Sequence, residues 1–237
     1  MNMFKTLNPS KFLLNALDDL GFVKPTPIQE EAFPVIVSGK NVVGIAQTGT
    51  GKTLAYMLPI LQSMKYTNDK NPTVLVMVPT RELVQQVVEQ IALYSKYVTG
   101  RTIGVYGGTN INTQALTLKD GVDILVATPG RLYDMVIARM ISLKSVKKLV
   151  IDEVDVMLDL GFIFQLTNIF ELLPERRQNI MFSATMTEDV DLLIKDFFYD
   201  PIQISIAVSG TPLENIAQES YEVPNFYSKV SLLEYLL

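Results

Sequence analysis

The sequence predicts an α/β fold: a doubly wound, mostly parallel sheet flanked by helices on both faces. Three observations carry this. Short apolar runs alternate with segments of helical spacing from residue 42 to residue 207, the order that builds a parallel sheet through helical crossovers. The candidate strands are apolar at nearly every position rather than at every second one, as expected of strands covered on both faces. A glycine-rich turn, Gly49-Thr50-Gly51-Lys52-Thr53, separates the first strand from the next helix. It lies at the carboxyl end of a strand, where open α/β sheets bind ligands.

The elements follow in order. Phe12, Leu13, Ala16, Leu17 and Leu20 give Lys11 to Leu20 helical spacing, with Ser10 as the N-cap and Gly21 as the stop. A second helix starts near Pro27 and runs to Val37. Val42 to Ile45 is the first strand, and Leu54 to Met64 the helix after the glycine-rich turn. Further strands are predicted over 73–78, 102–106, 122–127, 146–151, 179–182 and 202–207, and helices over 81–97, 112–118, 131–138, 164–173 and 188–197. Pro79, Thr128, Asp152 and Ser183 all fall just past strand ends, which puts them on one edge of the sheet with the glycine-rich turn. Ser209-Gly210-Thr211-Pro212 reads as a linker. Beyond it, Gln218 to Val223 alternates like a strand and Ser228 to Leu237 reads as a helix cut off midway. The expectation is a domain over residues 1–207, followed in 208–237 by a linker and the truncated start of a second domain of a longer protein.

Composition narrows the chemistry. The 237 residues are 48% hydrophobic and 19% charged, enough for a substantial core. The absence of cysteine excludes disulfides, thiol catalysis and cysteine zinc sites. The absence of histidine removes the commonest general base and metal ligand. Acid–base work must fall to Asp, Glu, Lys, Tyr or a water they hold. A net charge of −5 is not the overall footprint of a nucleic-acid binder. Residues 208–237, however, carry one Lys and four acids, so much of that charge lies in the tail and a local basic surface remains open. Neither a secretory signal nor an apolar run long enough to span a bilayer is present; the expectation is a cytoplasmic protein with no membrane partner.

Ala46-Gln47-Thr48-Gly49-Thr50-Gly51-Lys52-Thr53 has the make-up of a phosphate-binding loop. Gly49 and Gly51 let the backbone turn its N–H groups toward one oxyanion, and the helix that follows adds its positive end. Lys52 supplies a compact charge for outer phosphates, and Thr53 a hydroxyl for Mg²⁺. Ala46 stands where the general pattern has glycine, which a methyl group allows at negative φ. Downstream, Leu149-Val150-Ile151 leads into Asp152-Glu153-Val154-Asp155. Asp152 suits a Mg²⁺ ion held through its water shell, and Glu153 suits the orientation and deprotonation of an attacking water.

Taken together, these motifs resemble the DEAD-box ATP-dependent RNA helicases, and in particular their N-terminal, RecA-like P-loop NTPase domain, over residues 4–207. Gly21 to Gln29 is similar to the adenine-reading motif of that family, with Phe4 as its isolated upstream aromatic. The resemblance places Phe4, Lys24, Thr26 and Gln29 on the nucleotide, with Ala46 to Thr53 as the family's own form of the phosphate loop. Pro79-Thr80-Arg81-Glu82-Leu83, Gly107-Gly108 and Thr128-Pro129-Gly130-Arg131 resemble its RNA-contacting motifs. Ser183-Ala184-Thr185, with Asp155, resembles the motif coupling hydrolysis to strand separation. One departure is Val154, where the family usually has alanine. Chemistry supports the transfer: a carboxamide such as Gln29 can pair with both the donor and the acceptor of adenine, and Phe4 can stack on its ring. Taken singly, Gln29 reads as a solvated helix residue, Phe4 as a core anchor, and Arg81 and Arg131 as surface charges.

The resemblance implies the ATP-binding half of an RNA helicase. ATP and Mg²⁺ would be its cofactors and RNA its partner, held mainly through the backbone with little sequence preference. A second RecA-like domain of the same protein would close over both and supply arginines to the γ-phosphate. Two other readings stand beside it: an ATP-gated RNA clamp whose turnover times its release, and a DNA translocase, against which Gln29 and Phe4 argue.

Overall fold

A computed structural model describes residues 2–65, 69–206 and 219–236. Two units divide the chain, Met1–Ile206 and Ala207–Leu237.

The first unit holds seven strands: β1 (Val42–Ile45), β2 (Val74–Met77), β3 (Thr102–Val105), β4 (Ile124–Ala127), β5 (Lys148–Ile151), β6 (Gln178–Ser183) and β7 (Ile202–Ser205). They form one sheet in the order β3-β4-β2-β5-β6-β1-β7. All six neighbouring pairs are parallel, so every strand ends on the same edge. The helices are α1 (Lys11–Asp19), α2 (Pro27–Val37), α3 (Lys52–Ser63), α4 (Arg81–Tyr94), α5 (Ile111–Thr117), α6 (Pro129–Ile137), α7 (Val154–Asp159), α8 (Ile163–Leu172) and α9 (Glu188–Phe197).

Consecutive strand residues point to opposite faces, and each face has its own core. Val74 and Val76 join Leu17, Ile28, Tyr56, Ile60 and Val84 of α1 to α4 on one side. Leu75 and Met77 join Leu132, Met157, Leu166 and Leu193 of α6 to α9 on the other. The central strands β1, β2 and β4 are therefore buried at every position. The edge strand β7 is not: three of its four residues are exposed.

The strands and longer helices lie where the apolar pattern places them, with ends shifted by a few residues either way. Ser10 caps α1 by accepting the Leu13 N–H, and Gly21 follows the helix at φ +70°. Two elements have no counterpart in the sequence reading. One is a 3₁₀ turn at Met3–Leu7. The other is α7, whose six residues are too few to establish a helical period. In the second unit the expected strand over Gln218 to Val223 is absent from 219–223, which carry no regular structure; alternation alone does not make a strand without a neighbour to bond. The expected terminal helix is present as α10 (Phe226–Leu236). The linker at 209–212, like Ala207 and Gln218, lies outside the described residues.

Candidate nucleotide and nucleic-acid site

The phosphate loop runs from the end of β1 into α3. Gly49 (φ +80°) and Gly51 (φ +84°) take the left-handed conformation that side chains rarely adopt. Ala46 does not, so its methyl group is tolerated. The loop is fixed at both ends: Ala46 N–H donates to the Ser183 carbonyl (3.0 Å), and the Thr50 hydroxyl to the Gln47 carbonyl (2.7 Å). None of the described residues accepts the N–H groups of Thr48 to Lys52. They are donors open to an anion at the start of a twelve-residue helix.

A cavity of about 460 Å³ opens beside this loop, within the size range of small-molecule sites. Thr48, Gly49, Gly51, Lys52, Thr53, Asp152 and Glu153 all line it. Lys52 is only 6% exposed, and its ammonium has no hydrogen-bond partner among the described residues. A buried cation so placed calls for a counter-ion. Asp152 is 6% exposed. Burial pushes its carboxyl up to about 6, against the pull of the nearby Lys52 charge. Its Oδ1 accepts the Glu153 N–H (3.0 Å). Glu153 itself sits at φ 56°, ψ 48°, a left-handed conformation that disfavours a side chain by about 1–2 kcal/mol. The strained turn that starts α7 aims Glu153 into the cavity.

Asp155, two residues further, meets the residues that follow β6. Its Oδ2 accepts from Ala184 N–H (3.2 Å), Thr185 N–H (3.0 Å) and the Thr185 hydroxyl (2.9 Å). The Ser183 hydroxyl donates to the Thr185 carbonyl (2.7 Å). With the Ala46–Ser183 bond, a continuous chain of contacts links the phosphate loop to the segment bearing Glu153.

Of the adenine-reading residues, Gln29 and Thr26 lie against the phosphate loop, while Phe4 and Lys24 do not line the cavity. Phe4 is 1% exposed and belongs to the core with Leu13, Leu17 and Ile28; its ring is an anchor and offers no stacking face. Gln29 is 5% exposed, and both ends of its carboxamide are engaged. Oε1 accepts Thr26 N–H (3.0 Å) and Nε2 donates to the Gly51 carbonyl (3.1 Å). It caps α2 and clasps the phosphate loop, with one N–H and one lone pair of the carboxamide left over. The Thr26 hydroxyl lies close to Gly51 and faces the Gln29 backbone N–H in the capping box that starts α2. Lys24 is exposed and does not line the cavity. The available aromatic is Phe22, 38% exposed on the cavity wall and one residue past Gly21. Tyr94, Gln86 and Gln90 of α4 complete the wall. Their signal in the sequence was a helical face with no motif attached.

The remaining motif residues follow β2, β3 and β4. Thr80 caps α4, accepting Leu83 N–H (3.3 Å), behind the buried Pro79. Arg81 is exposed and lies over the Tyr106 ring at 5.0 Å. Gly107 and Gly108 are exposed; Gly108 needs its φ of +78°, and nothing lies within 4 Å of where a side chain would start at either. Thr128 is buried before the Pro129-Gly130 start of α6. Arg131 corrects the reading as a free surface charge: Nη1 donates to Gln114 Oε1 (2.7 Å) and Nη2 to the Thr109 carbonyl (2.8 Å). Gln114 also accepts from Tyr106 N–H (3.3 Å) and donates to the Thr109 hydroxyl (2.9 Å). Arg131 thus ties the loop holding Gly107-Gly108 to α6.

A signature described as "DEAD/DEAH box helicase" matches residues 26–193. The chain belongs to this family. Among curated relatives of this DEAD-box domain, the "ATP-dependent RNA helicase DeaD" of Haemophilus influenzae is 38% identical over 98% of the chain and 38% of that protein. The "Pre-mRNA-processing ATP-dependent RNA helicase prp-5" of Neurospora crassa is 42% identical over 87% of the chain and 18% of that protein. The domain therefore spans well under half the length of these relatives. A crystal structure of a DEAD box protein from Methanococcus jannaschii superposes with a TM-score of 0.81 at 33% identity, covering 85% of the chain and 55% of that structure. One of a hypothetical ATP-dependent RNA helicase from Sulfolobus tokodaii gives 0.77 at 36%, over 83% and 57%.

Proposed function

We propose that this domain is the ATP-binding half of an ATP-dependent RNA helicase. The observation that carries the reading is the buried, unpartnered Lys52 ammonium, facing the same cavity as Thr53, Asp152 and Glu153 beside unclaimed loop N–H groups. That set fits a polyphosphate: N–H groups and Lys52 for its oxygens, with a hydroxyl and a carboxylate for the ion that accompanies it. Mg²⁺ is held by one or two carboxylates and the substrate's own phosphates, keeping several waters. Thr53 and Asp152 suit that need; the ion, when bound, would neutralise charge on the outer phosphates. Glu153 would orient the attacking water and accept its proton on the carboxylate. Phe22 provides the aromatic face for a base, and Gln29 reports on the loop through the Gly51 carbonyl. Asp155, Ser183 and Thr185 would carry the state of the phosphate site toward β6.

RNA would run along the ends of β2, β4 and β3, over Thr80, Arg81, Gly107, Gly108, Thr128, Gly130 and Arg131. Bare glycine backbone lets phosphates approach closely, and contacts of this kind position a strand without reading its sequence. A second RecA-like domain of the same protein would close the site and supply cations to the γ-phosphate. An arginine supplied in this way is worth about 10³–10⁵ in rate, so this half alone should turn over very slowly.

The test is the ATPase rate of the whole protein with RNA, with DNA and with neither, using Lys52→Ala as the blank. Stimulation by RNA alone is expected, while equal stimulation by DNA would overturn the RNA assignment. Strand displacement measured beside it separates unwinding from a clamp, which would hydrolyse ATP without parting a duplex.

A further inference from the structure

Tyr56 is the polar group of this region that the site described above leaves without a role. It lies on α3, one turn after Lys52 and Thr53, and is 0% exposed. Its ring packs against Phe182 of β6, with centroids 5.6 Å apart at 44°. A phenylalanine would make that contact equally well. The hydroxyl is therefore the part to be explained, and it makes no hydrogen bond of regular geometry among the described residues. A buried hydroxyl in that condition is unfavourable unless something completes it. Thr53 and Asp152, the two groups that suit the ion, bear on it, as does Tyr94 of α4. Asp152 has one oxygen committed, Oδ1, to the Glu153 N–H, and its other oxygen makes no hydrogen bond given by the structure.

We propose that Tyr56 is a positioning residue for the ion site. Its O–H donates to the uncommitted Asp152 oxygen, directly or through one water, when Mg²⁺·nucleotide binds. Two donors, Glu153 N–H and Tyr56 O–H, then fix the carboxylate in one orientation. The inference rests on the nucleotide site proposed above. It accounts for a fully buried tyrosine on a helix whose other buried neighbours, Leu54, Ala55, Met57 and Leu58, are apolar.

The experiment is calorimetric titration of ATP into this chain and its Tyr56→Phe variant, each with excess Mg²⁺ and in EDTA. The variant keeps the ring and its packing on Phe182. The expected result is that the gain in ATP affinity on adding Mg²⁺ falls about tenfold in the variant, the scale of a hydrogen bond to a charged group. Affinity in EDTA stays as in the parent, and the melting temperature without ligand is unchanged or higher. A merely structural role would lower both affinities together or the melting temperature, and overturns the inference. So does an unaltered Mg²⁺ gain. If the parent chain binds no ATP in either buffer, the nucleotide site itself fails, and Tyr56 with it.

Discussion

The edge of the sheet where all seven strands end divides into two halves that satisfy their polar groups in opposite ways. Around β5, β6 and β1 the groups are buried and incomplete. Lys52 has no hydrogen-bond partner among the described residues, Asp152 is charged only at the cost of desolvation, and Glu153 is held in a left-handed turn. Around β3, β4 and β2 the groups are more exposed and already complete. Arg131 is bonded to Gln114 and Thr109, and Arg81 lies on Tyr106. The first half is built to be finished by a small, highly charged ligand. The second is a preformed surface which, on the proposed function, would need only to hold its shape while a long polymer lay on it. The left-handed Glu153 falls in the half to which chemistry is assigned by the proposed function, as expected where function opposes stability.

The contrast is sharpest for Glu153. In the whole protein, Glu153→Gln should lower hydrolysis by about 10²–10⁴, the usual contribution of a general base, with ATP binding retained in calorimetry. Hydrolysis at the parental rate would remove Glu153 from the chemistry and leave its strained backbone unexplained.

Asp152 tests the same half through stability. Its carboxyl titrates at about 6 in the folded domain against a model-peptide value of 3.8. The folded state therefore binds the proton more tightly than the unfolded chain. Stability without ligand should fall as pH rises from about 4 to about 6 and stay low above that. The cost approaches about 3 kcal/mol at neutral pH as an upper bound. Asp152→Asn should recover about 1–3 kcal/mol at pH 7.5 and little at pH 4, read by denaturant melts. A variant less stable than the parent at pH 7.5 would mean that Lys52 and Asp152 support each other more than burial opposes them.

A smaller effect follows from the backbone at the same turn. Glu153→Gly should stabilise the domain by about 1 kcal/mol by releasing the left-handed strain, whereas Glu153→Gln should not. Equal melting temperatures for the two variants would place the turn's cost elsewhere.

How far the sequence already showed these halves depends on what each motif is made of. The phosphate loop and the two acids were legible because a backbone turn, a strand end and a charge are specified by neighbouring residues. Asp155 with Thr185 was legible as a pair only through family resemblance, since 30 positions separate them. The sheet was legible because burial on both faces leaves unbroken apolar runs. Phe4 was misread as a stacking ring because a motif gives residue type and spacing but not which way a side chain faces. Phe4 turns into the core, and Gln29 is held by one bond at each end of its carboxamide, to Thr26 and Gly51. Phe22 lay inside the Gly21–Gln29 motif but was passed over for Phe4, whereas Tyr94 and Gln114 were missed because their partners lie on other elements. No local pattern announces them. The short helix α7 escaped because six residues carry no period, and the strand expected at 218–223 failed because pairing is a tertiary event.

Arg131 decides how finished the second half is. If it acts by locking the loop after β3, its planar fork to Gln114 and the Thr109 carbonyl is what matters, and a lysine cannot reproduce it. Arg131→Ala and Arg131→Lys should then behave alike. Each should lose about 1 kcal/mol of stability and bind RNA several-fold more weakly in the whole protein, with ATP affinity of the domain unchanged. Arg81→Lys, which keeps an exposed charge and loses only its stacking on Tyr106, should be milder. If Arg131→Lys instead restores RNA affinity while Arg131→Ala does not, the charge itself meets phosphate. The second half would then be completed by its ligand, as the first one is, and the two would differ in exposure alone.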